Sequence, residues 1–196
     1  YYVRAATDLD FDWGVITHNG GATTVTQTNV TLDLIAPEAG FDQTMQFSTD
    51  GITWSEPEPF AATKEWSLAD ADGTYTVYFR ACDTDGNWSR VYTLTLTLDR
   101  SAPRLQDAYA PDGSQVRIEF SEPVTGADTA ANYQITPAVS IAGVTKDTDT
   151  SYSLHLAQTL PKNTSCTVTA SSGIMDAAGN SIDELFDTAT FSYADK

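Results

Sequence analysis

Asp72-Gly73-Thr74-Tyr75-Thr76-Val77-Tyr78-Phe79-Arg80-Ala81 and, after Cys82, Asp83-Thr84-Asp85-Gly86-Asn87 decide the fold of this chain. The first part alternates apolar and polar side chains with the period of a strand that buries one face. The second is turn chemistry: Gly and Asn tolerate positive φ, and Asp bonds its own backbone two residues on. The same order recurs as Thr164-Ser165-Cys166-Thr167-Val168-Thr169-Ala170 and then Asp176-Ala177-Ala178-Gly179-Asn180. Asp, Gly and Asn keep a constant offset of 93 positions (176 − 83, 179 − 86, 180 − 87). A strand and its loop used twice mean a fold used twice.

Outward from the first copy, Val30-Thr31-Leu32-Asp33-Leu34 alternates, Met45 and Phe47 lead into Thr49-Asp50-Gly51, and Trp66 and Leu68 follow. Asp50-Gly51 reads as a hairpin turn. Tyr92-Thr93-Leu94-Thr95-Leu96-Thr97-Leu98 closes the first half with clean alternation. In the second half Val116–Phe120, Tyr133 with Ile135, Tyr152–Leu156, Cys166–Ala170 and Phe191 with Tyr193 read as strands. One helical turn fits Ala127–Asn132, and no long helix is expected.

Composition agrees. Among 196 residues, Thr (29) is the commonest, and the acid is mostly Asp (20) rather than Glu (7), a bias toward strands and turns over helices. The length suits two domains of about 100 residues each. The division expected is 1–14 as a leader strand or the tail of a preceding repeat, 15–100 as one domain and 101–196 as the next. Tyr2–Asp8 and Trp13 echo Tyr78–Thr84 and Trp88, which motivates the preceding-repeat reading. Pro103 makes the link at Leu98–Pro103 short and semi-rigid.

Ten Lys and Arg against 27 Asp and Glu give a net charge of −17. That field opposes nucleic acid and anionic membrane, and no apolar run reaches the ~20 residues that span a bilayer. Any signal peptide would lie outside this sequence, which has no basic-plus-apolar leader. Cys82 and Cys166 fall one in each half and read as free, buried thiols. His18, in a turn, and His155, on a strand, are not expected to meet, and no phosphate-cradling Gly-rich loop is present. The chain reads as non-enzymatic.

Several motifs carry a resemblance. Ser121-Glu122-Pro123-Val124, Leu160-Pro161-Lys162-Asn163-Thr164 and Ile174–Asn180 resemble the bacterial Ig-like domains of surface-layer and large secreted proteins. Asn19-Gly20-Gly21-Ala22, Asp50-Gly51 with Trp54-Ser55, Asp72-Gly73-Thr74-Tyr75 and Asp83–Asn87 resemble a sister bacterial Ig-like repeat. The resemblance implies an all-β fold of two tandem immunoglobulin-like antiparallel sandwiches, arranged end to end, each of about seven strands. Tyr75 then resembles a tyrosine corner, in which a Tyr near the start of the sixth strand bonds backbone upstream. Cys166 stands where the second-half family has Tyr.

The same resemblance implies a structural or adhesive spacer within a larger secreted or surface-anchored bacterial protein. Its partners would be neighbouring domains and a cell-surface protein or glycan. The alternative is a carbohydrate-binding module of a secreted glycosidase that stacks sugars on Trp54 and Trp88. Against it stands the simpler reading that Trp54, Trp66 and Trp88 fill or cover the first core. Calcium is a further candidate: Asp83, Asp85, Asn87, Asp99, Asp176 and Asn180 supply hard oxygen ligands near expected domain junctions. Against that stands the plain turn-forming role of Asp, Gly and Asn.

Overall fold

The computed structural model describes residues 15–37 and 40–194. The expectations for residues 1–14 lie outside this range. The chain divides into two compact units, residues 1–99 and 100–196.

The first unit runs β1 (Ile16–His18), β2 (Thr24–Val25), β3 (Asn29–Leu34), β4 (Thr44–Ser48), β5 (Glu58–Pro59), β6 (Thr63–Ser67), β7 (Gly73–Cys82) and β8 (Tyr92–Leu98). One sheet has the order β1-β3-β6 and the other β2-β8-β7-β4-β5. Every pairing is antiparallel except β2 with β8, which is parallel through Thr24↔Thr97 and Val25↔Leu98. Period-two burial explains why the sheets stack: Val30, Leu32 and Leu34 from one meet Val77, Phe79, Leu94 and Leu96 from the other. The centre is aromatic, with Phe47 5.5 Å from Phe79 and 5.6 Å from Trp66 between ring centroids.

The second unit contains β9 (Leu105–Asp112), β10 (Gln115–Phe120), a 3₁₀ turn at Ala130–Asn132, β11 (Tyr133–Thr136), β12 (Ile141–Lys146), β13 (Ser151–Leu156), β14 (Ser165–Ala170) and β15 (Thr188–Ser192). Its sheets have the orders β12-β13-β10-β9 and β11-β14-β15. That is the four-plus-three arrangement of a constant-type immunoglobulin sandwich. The core is mainly aliphatic, built on Val116, Ile118, Ile135, Leu154, Val168 and Ile174. Phe120 and Tyr152 meet edge to face at 6.0 Å.

The tyrosine corner is present in the first unit, where the Tyr75 hydroxyl donates to the Ala71 carbonyl at 2.6 Å. In the second, Cys166 is 1% exposed and its thiol reaches only the Thr164 carbonyl, at 3.8 Å. Two other tyrosines anchor backbone there: Tyr133 donates to the Ala127 carbonyl at 2.7 Å and Tyr152 to that of Val124 at 3.1 Å. Both cysteines are buried and free.

Asp50-Gly51 lies, as expected, in the hairpin that joins β4 to the antiparallel β5, paired at Thr44↔Pro59 and Met45↔Glu58, but the loop is longer than two residues. The Asp50 carboxylate accepts the backbone N–H groups of Ile52 and Thr53 at 2.8 and 2.7 Å within that loop.

Candidate functional site

The repeated Asp–Gly–Asn motif occupies the same place in both sandwiches, the loop leaving β7 in one and β14 in the other. In the first, Asp83 Oδ1 accepts the backbone N–H groups of Asp85 (2.9 Å) and Asn87 (2.8 Å), and Oδ2 accepts the Asn87 side-chain amide (2.9 Å). In the second, Asp176 Oδ1 accepts the Asn180 N–H and Oδ2 its side-chain amide, both at 2.8 Å. Each loop also donates from the Asp N–H to the Asn carbonyl at 3.1 Å. Gly86 and Gly179 carry φ of 85° and 92°, which disfavours any side chain at those points. The side-chain amide of Asn87, then its N–H, holds the Asp83 carboxyl below the usual carboxylate range. The turn-forming role thus accounts for Asp83, Asn87, Asp176 and Asn180.

The metal candidates fall in separate units. Asp83, Asp85 and Asn87 belong to the first unit, with Asp99 its last residue, while Asp176 and Asn180 belong to the second. Within the second unit a carboxylate oxygen of Glu122 lies within 4.8 Å of one from the buried Asp176. Glu122 was not legible as a neighbour of Asp176, since the two belong to loops far apart in sequence. His18 Nδ1 lies 2.8 Å from the Thr31 carbonyl oxygen, and His155 Nε2 2.9 Å from the Thr145 hydroxyl.

Of the three tryptophans expected to fill or cover the first core, one packs against it and two lie on a sheet's outer face. Trp66 packs against the first core. Trp54 and Trp88 instead lie on the outward face of the β4–β7 sheet, on either side of Arg80. The guanidinium carbon is 4.2 Å from the Trp54 ring centroid and 4.5 Å from that of Trp88. Arg80 Nε and Nη2 donate to Gln46 Oε1 at 3.0 and 2.7 Å, and Gln46 Nε2 donates to the Ser55 carbonyl at 2.6 Å. Each cation–π contact contributes about 0.5–1 kcal/mol at an exposed site and more when desolvated.

Two Trp-Ser dipeptides build this stack in the same way. Ser55 donates its N–H to the Phe47 carbonyl at 2.9 Å and accepts the Phe47 N–H on its hydroxyl at 3.1 Å. Ser89 does both with Ala81, at 2.8 and 3.1 Å. In each case the chain leaves the sheet and returns eight residues later (55 − 47, 89 − 81). Sequence reasoning missed this device, although the paired Trp-Ser at equal distance from a strand is a signal that could have found it.

A family model of the bacterial Ig-like domain matches residues 93–193, just over half of the chain. The N-terminal part of the bacterial S-layer protein SbsC is similar at 24% identity and a TM-score of 0.43, over 48% of this chain and 24% of that one. The S-layer protein rSbsC(31-844) is similar at 23% identity and a TM-score of 0.44, over 50% and 14%. The fibronectin(III)-like modules of Clostridium thermocellum CbhA align at 12% identity and a TM-score of 0.43, over 91% and 94%. The chain spans a quarter or less of those S-layer structures. No curated protein matches it. The sheet orders, the paired loops and the family match over residues 93–193 agree, and the chain belongs to the bacterial Ig-like domain family.

Proposed function

We propose that this chain is a non-catalytic structural and adhesive spacer within a larger secreted or cell-surface bacterial protein. The observation that carries the reading is the pair of self-contained cores. Each unit closes its own sandwich, and the link between them is a few residues ending at Pro103. Modules of this kind fold one by one and can be strung in series without sharing a core. The family match supports the same reading. The charge of −17 suits a solvated surface and repels anionic membrane. Among the described residues, no helix is long and apolar enough to cross a membrane.

The test is immunolabelling of intact and lysed cells of the source organism with antibody against this chain. Labelling of intact cells, or recovery from the medium, is expected. Signal confined to lysed cells overturns the proposal.

The carbohydrate-binding reading has one observation in its favour: Trp54 and Trp88 sit outside the core on an outward sheet face. Each already spends one ring face on Arg80, which weighs against it. Specific binding on a glycan array that disappears in Trp54→Ala or Trp88→Ala would replace the spacer reading.

A further inference from the structure

The outward face of the larger sheet in the second unit holds a cavity of about 500 Å³, within the ~300–1,000 Å³ usual for small-molecule sites. Strand register builds it. Tyr109, Arg117 and Ser153 lie side by side across β9, β10 and β13, and Asp107, Glu119 and Ser151 form the next row. The β12–β13 turn closes one side with Thr148 and Thr150.

Part of this lattice is already tied together. Arg117 Nη2 donates to Asp147 Oδ2 at 3.1 Å, and the Ser153 hydroxyl donates to the same oxygen at 2.7 Å. Asp147, with the neighbouring Tyr109 phenol, holds the Arg117 guanidinium more firmly protonated than usual. Asp147 thereby orients the arginine along the cavity wall.

Other groups are open to solvent, although the Tyr109 hydroxyl also interacts with the Arg117 side chain. The Tyr109 side chain is 49% exposed. Asp107 is exposed, and its Oδ1 accepts the Ala108 N–H at 2.8 Å. Glu119 is exposed, and no hydrogen bond or ion pair holds its carboxylate among the described residues. The cavity therefore offers a flat aromatic face, an arginine donor and two carboxylate acceptors within one small volume.

Charge narrows the ligand class. An anion entering here meets Asp107 and Glu119, inside the field of a chain at −17. A cation gains no partner in the Arg117 guanidinium, which is itself paired with Asp147. A neutral ligand rich in hydroxyls uses both kinds of group, donating to the carboxylates and accepting from the arginine, while its C–H face covers the phenol ring. The polar lining suits such a ligand better than an apolar one.

We propose that this groove is a binding site for a neutral saccharide, with one sugar ring laid on Tyr109 and its hydroxyls bonded to Glu119, Asp107 and Arg117. The inference goes beyond the spacer reading, which needs no ligand, and it uses none of the residues of the Trp54–Arg80–Trp88 stack.

The experiment is titration of the whole chain, followed by calorimetry and by amide NMR. The probes are cellohexaose, xylohexaose and chitohexaose, with hexagalacturonate and hexalysine as charged counterparts. One neutral hexasaccharide saturates and shifts amides in residues 105–120 and 147–153. Tyr109→Ala abolishes that binding. Glu119→Gln, which removes a charge-assisted hydrogen bond at an exposed position, weakens it about tenfold. Glu65→Gln makes the same change of charge in the first unit and leaves affinity unchanged. Circular dichroism verifies folding of each variant, and the exposed Glu119→Gln decides the matter if Tyr109→Ala fails to fold. No saturation by any neutral probe, preference for either charged probe, or unchanged affinity in Glu119→Gln each overturns the proposal. None of these failures touches the spacer reading, which stands or falls on where the protein is found.

Discussion

The corresponding strands β7 and β14 open the loops that carry the repeated motif, yet they are secured differently at their starts. Near the start of β7 the Tyr75 hydroxyl reaches over to the Ala71 carbonyl at 2.6 Å. At the start of β14 a buried Cys166 takes the same station and makes only a long thiol contact. The second unit fastens its chain with Tyr133 and Tyr152, from two other strands. The cores differ in the same sense, aromatic in one and aliphatic in the other. The loops that follow nevertheless share three bonds, the Asp carboxylate accepting the Asn N–H and side-chain amide and the Asp N–H donating to the Asn carbonyl. The turn geometry tolerates few alternatives, whereas a backbone carbonyl can be satisfied from several directions.

The largest expected effect tests whether the two halves are energetically separate. Phe79→Ala and Phe120→Ala each empty a fully buried aromatic site, at about 3–5 kcal/mol. All four tryptophans lie in the first 99 residues, so their fluorescence reports that unit alone. In a denaturant titration Phe79→Ala moves the fluorescence midpoint, and Phe120→Ala leaves it where it was. A fluorescence shift in Phe120→Ala would break the comparison.

Next comes an exchange of the anchors. Cys166→Tyr does not restore a corner in the second unit, since the added volume enters a core already closed by Phe191 and Val168. A loss of about 1–3 kcal/mol is expected from overpacking. Tyr75→Phe removes one hydroxyl from the first unit and costs about 1 kcal/mol. A stabilised Cys166→Tyr would mean that the second sandwich had kept room for the missing tyrosine.

The smallest effect is in pH. Backbone N–H groups of Ile52 and Thr53 hold the Asp50 carboxyl well below the usual range, and Asn87 does the same for Asp83. Their folded pKa values lie under the unfolded one, so the stabilisation is complete above about pH 4 and is lost as pH falls through the folded values. Asp149 in the second unit is also lowered, but by the exposed Lys146. Thermal scans from pH 5 downward should therefore show acid loss in both units. Added salt screens only the Asp149 contribution. Asp83→Asn flattens the fluorescence-detected acid limb, and an unaltered limb would contradict the hydrogen bonding described.

Legibility from sequence followed position in the sheet in most cases, the edge strands β11 and β15 being read as well from Tyr133 with Ile135 and from Phe191 with Tyr193. Central strands β3, β7, β8, β10, β13 and β14 were readable, because burial between neighbours enforces the period of two. The strands that went unread, β1, β2, β5, β9 and β12, are all at sheet edges. β9 carries Pro111 and buries only Leu105 and Ala108, and β12 contains Gly143 with no fully buried residue. An edge strand covers less of the core, and so its sequence is less constrained. The motif loops were legible for a related reason, since positive φ at Gly86 and Gly179 limits which residues fit. The outward-facing sites were not. Trp54 with Trp88, and Tyr109 with Arg117 and Glu119, meet only through strand register, which single residues do not announce.

The parallel pairing of β2 with β8 has a mechanical consequence. These are early and final strands of the first unit, joined through Thr24↔Thr97 and Val25↔Leu98. Further bonds run from Thr97 N–H to the Thr23 carbonyl (2.8 Å) and from Asp99 N–H to that of Val25 (2.9 Å). Tension on the two ends of the unit pulls parallel neighbours in opposite directions along their length. The bonds between them are then loaded in shear, all at once, rather than peeled one after another. The second unit pairs its first strand, β9, with β10 alone, and its last, β15, with β14 alone. Leu105 N–H donates to the Phe186 carbonyl at 2.8 Å and Asp183 N–H to that of Pro103 at 2.9 Å, but no strand ladder joins β9 to β15 among its described residues. Stretched in series, the second unit should yield at lower force, extending first while the first unit holds.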